Sequence, residues 1–161
     1  MNYVYIGVIV NTHALKGEVR VISNFDKKEK VFQIGKTLYI GDLKSKETIE
    51  TYRKHKNYDM VKFKGIDYIN EVLKYKGKKV YVLRDDLELN KDEYLESDLI
   101  GLDAIFKEKV LGTITNIIDN NGYKLIEIKE SLIPLNDNFI EKVDLESRKI
   151  FFKNIEELLW E

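Results

Sequence analysis

Gly7-Val8-Ile9-Val10-Asn11-Thr12-His13-Ala14-Leu15-Lys16-Gly17-Glu18-Val19-Arg20-Val21 is the stretch on which the fold turns. An apolar strand enters a polar turn and a second strand leaves it. A period of two places Lys16, Glu18 and Arg20 on one face and Val19 and Val21 on the other, so two cations project beside a glycine turn while the valines face a core. Gly7 and Gly17 serve the backbone geometry of a hairpin-like connection, and Glu18 can pair Lys16 or Arg20 on the outer face.

Outward from this stretch the pattern continues as short strands. Runs rich in Val, Ile and Tyr predict strands over 3–10, 18–23, 37–40, 48–53, 59–63 and 79–83, separated by Gly, Asp and Asn. One helix is expected from Asp67 as N-cap through Ile69, Val72 and Leu73 to a stop at Gly77. A turn-like or helical segment over 93–99 then precedes strands over 101–106, 110–118, 124–128, 132–133 and 149–152, with a terminal helical turn over 155–160. Asn121-Gly122 tolerates the positive φ of a primed turn and marks a hairpin, whereas Pro134 should end the strand before it. Many short strands in two pieces predict a mainly β chain of two small barrels, because closure removes exposed edges.

Composition bounds the function. The 161 residues are 43% hydrophobic and 34% charged, with no Cys and a net charge of -1. A core is affordable to such a chain, and the absence of Cys suits a reducing compartment, so a cytoplasmic protein without membrane spans is expected. Residues 1–90 carry 18 Lys and Arg against 12 Asp and Glu, while residues 91–161 carry 9 against 16. A basic half can meet nucleic acid and an acidic half a basic protein, although solvated charged faces give the same numbers. The charge crossover falls in a linker-like run, which divides the chain into a domain over 1–84, a linker over 85–92 and a domain over 93–161.

Recognisable catalytic chemistry is missing from the pattern. The nine glycines form no phosphate loop, His13 and His55 stand apart without Cys, and no Ser lies in a nucleophile elbow. No metal, cofactor or catalytic residue is expected, and the chain is read as a non-enzyme.

The segments Ile6-Gly7-Val8-Ile9 and His13 to Val21 resemble the N-terminal signature of the bacterial RimM family. Val61 to Asp67 and the helix to Lys76-Gly77 are similar to the same family. So are Glu93-Tyr94-Leu95-Glu96-Ser97-Asp98-Leu99-Ile100-Gly101-Leu102, Leu111-Gly112, Leu132-Ile133-Pro134, Val143-Asp144-Leu145 and Lys149-Ile150, which resemble its PRC-barrel half. The pieces follow one another in family order over nearly the whole chain. The resemblance implies a translation-factor-like N-terminal β-barrel and a C-terminal PRC barrel. It further implies a ribosome maturation factor acting without catalysis in assembly of the small-subunit head and in rRNA processing, through the ribosomal protein S-nineteen and immature rRNA. A PRC-barrel adaptor for a non-ribosomal partner is the alternative, and a monomer is expected. Two positions depart from the family pattern: Ala14 where Gly is usual, and Leu95 where a second aromatic follows Tyr94.

The candidate rRNA contacts are Lys16, Arg20, Arg53, Lys54, Lys62 and Lys64. Arg53-Lys54-His55-Lys56 is the densest basic run and has the composition of a solvated loop; Tyr52 and Tyr58 beside it could stack on bases or sit in the core. Tyr94, Leu95 and Asp98 are the candidates for contact with a ribosomal protein, with Asp98 also suited to capping. Gly7, His13, Gly17, Glu18, Gly101, Gly112, Pro134 and Asp144 are family-motif positions expected to determine the fold.

Overall fold

Val19 and Val21 are fully buried and Glu18 and Arg20 only half-buried, so the alternation read from the sequence is that of a strand, β2 (Glu18–Ile22). The structure is a computed structural model and describes residues 2–14 and 16–159. The chain divides into two compact units, Met1–Leu89 and Asn90–Glu161.

In the first unit β2 joins β1 (Tyr3–His13), β3 (Thr37–Ile40), β4 (Ser45–His55), β5 (Tyr58–Phe63) and β6 (Lys79–Leu83). They close an antiparallel barrel in the order β1-β2-β5-β4-β3-β6. The closing strand, β1, pairs β6 through its first half and β2 through its second, with register shifts between Tyr5 and Gly7 and between Ile9 and Asn11. Such bulges bend a strand and sharpen its twist, which is what a small barrel needs at a corner. Ile6, Ile9, Val19, Val21, Leu38, Ile40, Ile49, Val61, Phe63, Val80 and Val82 fill the interior, each at most 2% exposed. Each such side chain contributes on the order of 1.5–3 kcal/mol relative to exposure.

Among the described residues two short α-helices accompany the barrel. The first, α1 (Lys28–Val31), has no helical periodicity in the sequence because Val31 is the only apolar residue in its single turn. The second, α2 (Ile69–Val72), runs into a 3₁₀ turn over Leu73–Tyr75. Its N-cap is Tyr68 rather than Asp67, since the Asp67 carboxylate is engaged by Lys62.

The second unit is a six-stranded sheet built from β7 (Asp103–Phe106), β8 (Lys109–Asn120), β9 (Tyr123–Ile128), β10 (Ser131–Pro134), β11 (Ile140–Asp144) and β12 (Lys149–Phe152). The order is β10-β9-β8-β7-β12-β11, and only β7 and β12 run parallel. The long β8 bulges between Ile114 and Asn116 and serves both β7 and β9. Asn121 and Gly122 join β8 to β9 with φ of 54° and 88°, the primed-turn conformation expected of that dipeptide. Pro134 does not stop β10 ahead of itself but is its last residue, opposite Leu125. An edge strand tolerates a missing N–H there. β11 carries no strand signal in the sequence, because Glu141 and Lys142 interrupt the apolar pattern.

Candidate functional site

Strand register assembles a polar cluster on the outer face of the barrel. His13 is opposite Glu18, Arg20 and Arg53 are both opposite Met60, and His55 is opposite Tyr58. Met60 is fully buried although it lies in register with the two arginines of the outer face. The Arg53 guanidinium grips Glu18 with Nε and Nη2 at 3.0 and 2.8 Å, the two-pronged geometry that suits a carboxylate. That hydrogen bond holds the Glu18 carboxyl below its ordinary range against the opposing effect of burial, helped by the charges of Arg53, His13 and His55. The same pair raises Arg53 above its ordinary value. Arg20 lies beside it, its Nη2 2.7 Å from His13 Nδ1 and its guanidinium carbon 5.5 Å from the centre of the Tyr58 ring. Its Nε is buried with no hydrogen-bond partner among the described residues. The His13 and His55 rings are 6.3 Å apart.

The other candidate cations differ in how their charges are used. Lys62 sits 2.6 Å from Glu50 and 3.0 Å from Asp67, and the hydrogen bond to Glu50 is the main reason its ammonium titrates above the ordinary value. Lys54 lies 3.6 Å from Asp59. Asp59 itself is fully buried, accepts 2.8 and 2.6 Å hydrogen bonds from Lys28 and the Tyr52 hydroxyl, and so ties α1 to the barrel. Burial, and after it Asp59, pushes the Tyr52 phenol up to about 12, and the ring stacks on Phe32 at 5.7 Å. Tyr52 therefore belongs to the packing rather than to a surface for bases. Lys16 and Lys64 are exposed and, among the described residues, have no carboxylate within ion-pair distance. The run 53–55 is no loop: it completes β4, because each residue finds a partner in β5.

In the second unit Tyr94 is half-buried and packs against the core. It lines a groove of about 340 Å³ with Asp92, Glu93, Lys142, Val143 and Asp144. Asp137 and Glu141 border the adjoining hollow, so carboxylates outnumber cations around the ring. Leu95, expected beside Tyr94 at a partner surface, is instead fully buried and supplies core volume. Asp98 caps: its Oδ2 accepts the Leu95 N–H at 2.8 Å, while its own N–H donates to the Leu95 carbonyl at 2.9 Å. This reciprocal pair opens the 3₁₀ turn Glu96–Leu99. Asp144 closes the β11–β12 turn by accepting the Ser147 N–H at 3.1 Å, which lowers its carboxyl below the ordinary value.

The motif glycines serve geometry. A Cβ on Gly7 would lie 2.4 Å from the Ile22 carbonyl oxygen, and Gly17 holds a φ of +87° beside the Tyr68 and Ile66 carbonyls. Gly101 and Gly112, likewise at positive φ, pass under Arg148 and Lys129. Ala14 takes a φ of 65° although it carries a Cβ, so the turn keeps its left-handed residue without the usual glycine.

Among the described residues no group of three or more His, Asp or Glu is placed to hold a metal ion, and no helix is long and apolar enough to cross a membrane. A model described as the RimM N-terminal domain matches residues 4–87, and one described as the RimM PRC barrel domain matches residues 96–158. The chain is similar to the ribosome maturation factor RimM of an Exiguobacterium species, 34% identical over 159 residues, covering 93% of this chain and 92% of that protein. It is similar also to that of Staphylococcus haemolyticus, 38% identical over 164 residues and covering 97% and 98%. A solved structure of a Pseudomonas aeruginosa RimM is 21% identical with a TM-score of 0.49, covering 94% of this chain and 97% of that one.

Proposed function

The chain belongs to the RimM family, and from that premise we propose that it is a cytoplasmic, non-catalytic ribosome maturation factor. Its substrate is the immature small subunit, whose head it helps to assemble and whose rRNA it helps to make processable. The observation that carries this reading is the order of the two family matches along one chain, with relatives named ribosome maturation factor aligned nearly end to end.

The division of labour follows the charge. The N-terminal unit, with 18 Lys and Arg against 12 Asp and Glu over residues 1–90, meets rRNA phosphates. Lys16 and Lys64 contribute ammonium groups with no carboxylate within ion-pair distance among the described residues and Lys54 a partly committed one, and Arg20 and Arg53 add guanidinium groups on the outer face. The acidic groove around Tyr94 meets a basic ribosomal protein, S-nineteen, with the ring as an anchor and the surrounding carboxylates setting orientation and encounter rate.

Gradient sedimentation of a tagged copy in lysate tests the proposal. Enrichment with free or immature small subunits that fades as salt rises is expected; migration alone at every salt concentration refutes it and favours an adaptor for some other protein. A Lys16→Ala plus Lys64→Ala variant should flatten the salt slope by about 1.5, since each phosphate contact is worth roughly 0.7–0.9.

A further inference from the structure

A second surface of the barrel is built of rings. Tyr5 is the direct cross-strand partner of Tyr81, and Tyr81 that of Tyr39, so three phenols form a row across β1, β6 and β3. The residues that alternate with them, Val80, Val82, Leu38 and Ile40, are buried in the core, which puts the row on the outer face. Tyr3 joins it edge-on, 5.3 Å from Tyr39 and 6.4 Å from Tyr81, and Tyr5 meets Tyr81 edge-on at 6.1 Å. Two cations accompany the rings: the Lys44 ammonium lies 4.2 Å from the centre of Tyr81 and 5.4 Å from that of Tyr3, and Lys79 lies 5.9 Å from Tyr5. Tyr5 remains 52% exposed.

We propose that this row is a stacking platform for unpaired RNA bases, with Lys44 and Lys79 receiving the phosphates that flank them. The proposal rests on the reading that the N-terminal unit meets rRNA and adds to it a site separate from the His13–Arg20–Arg53 cluster.

Three observations favour RNA over an apolar protein surface. Rings already braced against one another lose little freedom when a base stacks on them, and every base offers a π-face. An apolar partner would strip water from Lys44 and Lys79 without offering an anion, whereas a nucleotide brings its own phosphate. The unit as a whole is cationic, with 18 Lys and Arg against 12 Asp and Glu over residues 1–90. One acid, Asp86, acts on Tyr39 and, after burial, helps keep that phenol protonated. The phosphate path belongs beside Lys79, next to Tyr5, and Lys44, over Tyr81 and Tyr3, and the exposed Tyr5 is the natural first stacking partner.

The test is fluorescence anisotropy of the full chain with a labelled twelve-nucleotide oligouridylate and with a labelled duplex of the same length. Tyr5→Ala should weaken single-strand binding about fivefold to a hundredfold, the range set by the loss of one stacked base, and leave duplex binding unchanged. Tyr5→Phe should stay within about twofold, because the ring and not the hydroxyl stacks. Lys44→Ala should lower the salt slope by about 0.7. Absence of single-strand binding, an unchanged affinity for Tyr5→Ala, or an equal loss on duplex overturns the proposal; a protein occupant of the platform would give the second result. The assay contains no ribosome. If sedimentation fails while oligouridylate binding still needs Tyr5, the platform stands and the ribosomal reading falls. If sedimentation succeeds while Tyr5→Ala binds as the parent does, the platform alone falls.

Discussion

Gly7→Ala tests the reading that β1 and β2 approach at Gly7 more nearly than a side chain permits. The new Cβ would lie 2.4 Å from the Ile22 carbonyl oxygen and 3.1 Å from Ser23 Cβ, at the register shift where β1 passes from β6 towards β2. The nearest atom is main chain in a paired strand, so it cannot swing aside as a side chain would. Overpacking a closed core costs about 1–3 kcal/mol, and a backbone obstacle places this case at the upper end. Opposing it, Ala reduces the unfolded chain's freedom, a gain of about 0.4–1 kcal/mol that applies because the positive-φ glycines do not include Gly7. The net is a loss of about 2 kcal/mol. For a unit of this size that is a fall of roughly 8–16 °C in the unfolding midpoint. The assay is thermal unfolding of the full chain, with hydrogen exchange at β1 and β2 amides assigning the transition to the barrel. Ser23→Ala leaves the Cβ in place and should not rescue the variant. A loss below about 0.5 kcal/mol would refute the reasoning.

The opposite sign is expected one turn away. Ala14→Gly relieves a left-handed alanine at φ 65° and should stabilise the barrel by about 1 kcal/mol in the same unfolding assay. Leu95→Ala should destabilise the second unit by about 2–5 kcal/mol in denaturant unfolding, as removal of a fully buried leucine does, whereas Tyr94→Ala should cost much less stability and more small-subunit binding. At high pH, Tyr52 and Tyr75, each pushed up to about 12 chiefly by burial and then by Asp59 and Glu47 respectively, should be among the last of the ten tyrosines to ionise in an absorbance titration. Because their folded values lie above the ordinary value of 10, the stability they confer is intact below pH 10 and is lost as pH rises toward 12; a flat stability over that interval would contradict the burial argument.

Whatever depends on local pattern was legible in the sequence. The strands over 37–40, 79–83 and 149–152 coincide with β3, β6 and β12, where β-branched and aromatic residues stand between clear turn signals. The Asn121-Gly122 hairpin has the backbone its residues prefer. The extensions of β1 to His13 and of β4 to His55 were not legible, because the residues at those ends are polar and carry no apolar alternation, and they are held in strand by pairing across the hairpins with Glu18 and Tyr58. The single turn of α1 and the charged strand β11 carry too little apolar periodicity to be seen without their neighbours.

The same distinction explains the candidate surfaces. Periodicity tells which side of a strand faces out, so it placed Glu18 and Arg20 correctly on the exposed face of β2. It does not tell which outward residues of different strands become neighbours, since that is a matter of register. Arg53 neutralises Glu18, for which the sequence offered Lys16 or Arg20 as partner, and Glu50 and Asp67 engage Lys62; the basic excess is thus concentrated in fewer groups than a count suggests. Conversely Tyr5, Tyr39 and Tyr81 lie far apart in the chain and acquire a joint meaning only when β6 is inserted between β1 and β3. A closed barrel therefore has an interior that its sequence announces and an exterior that its topology composes, and it is on the exterior that the rings and cations proposed to meet RNA are brought together.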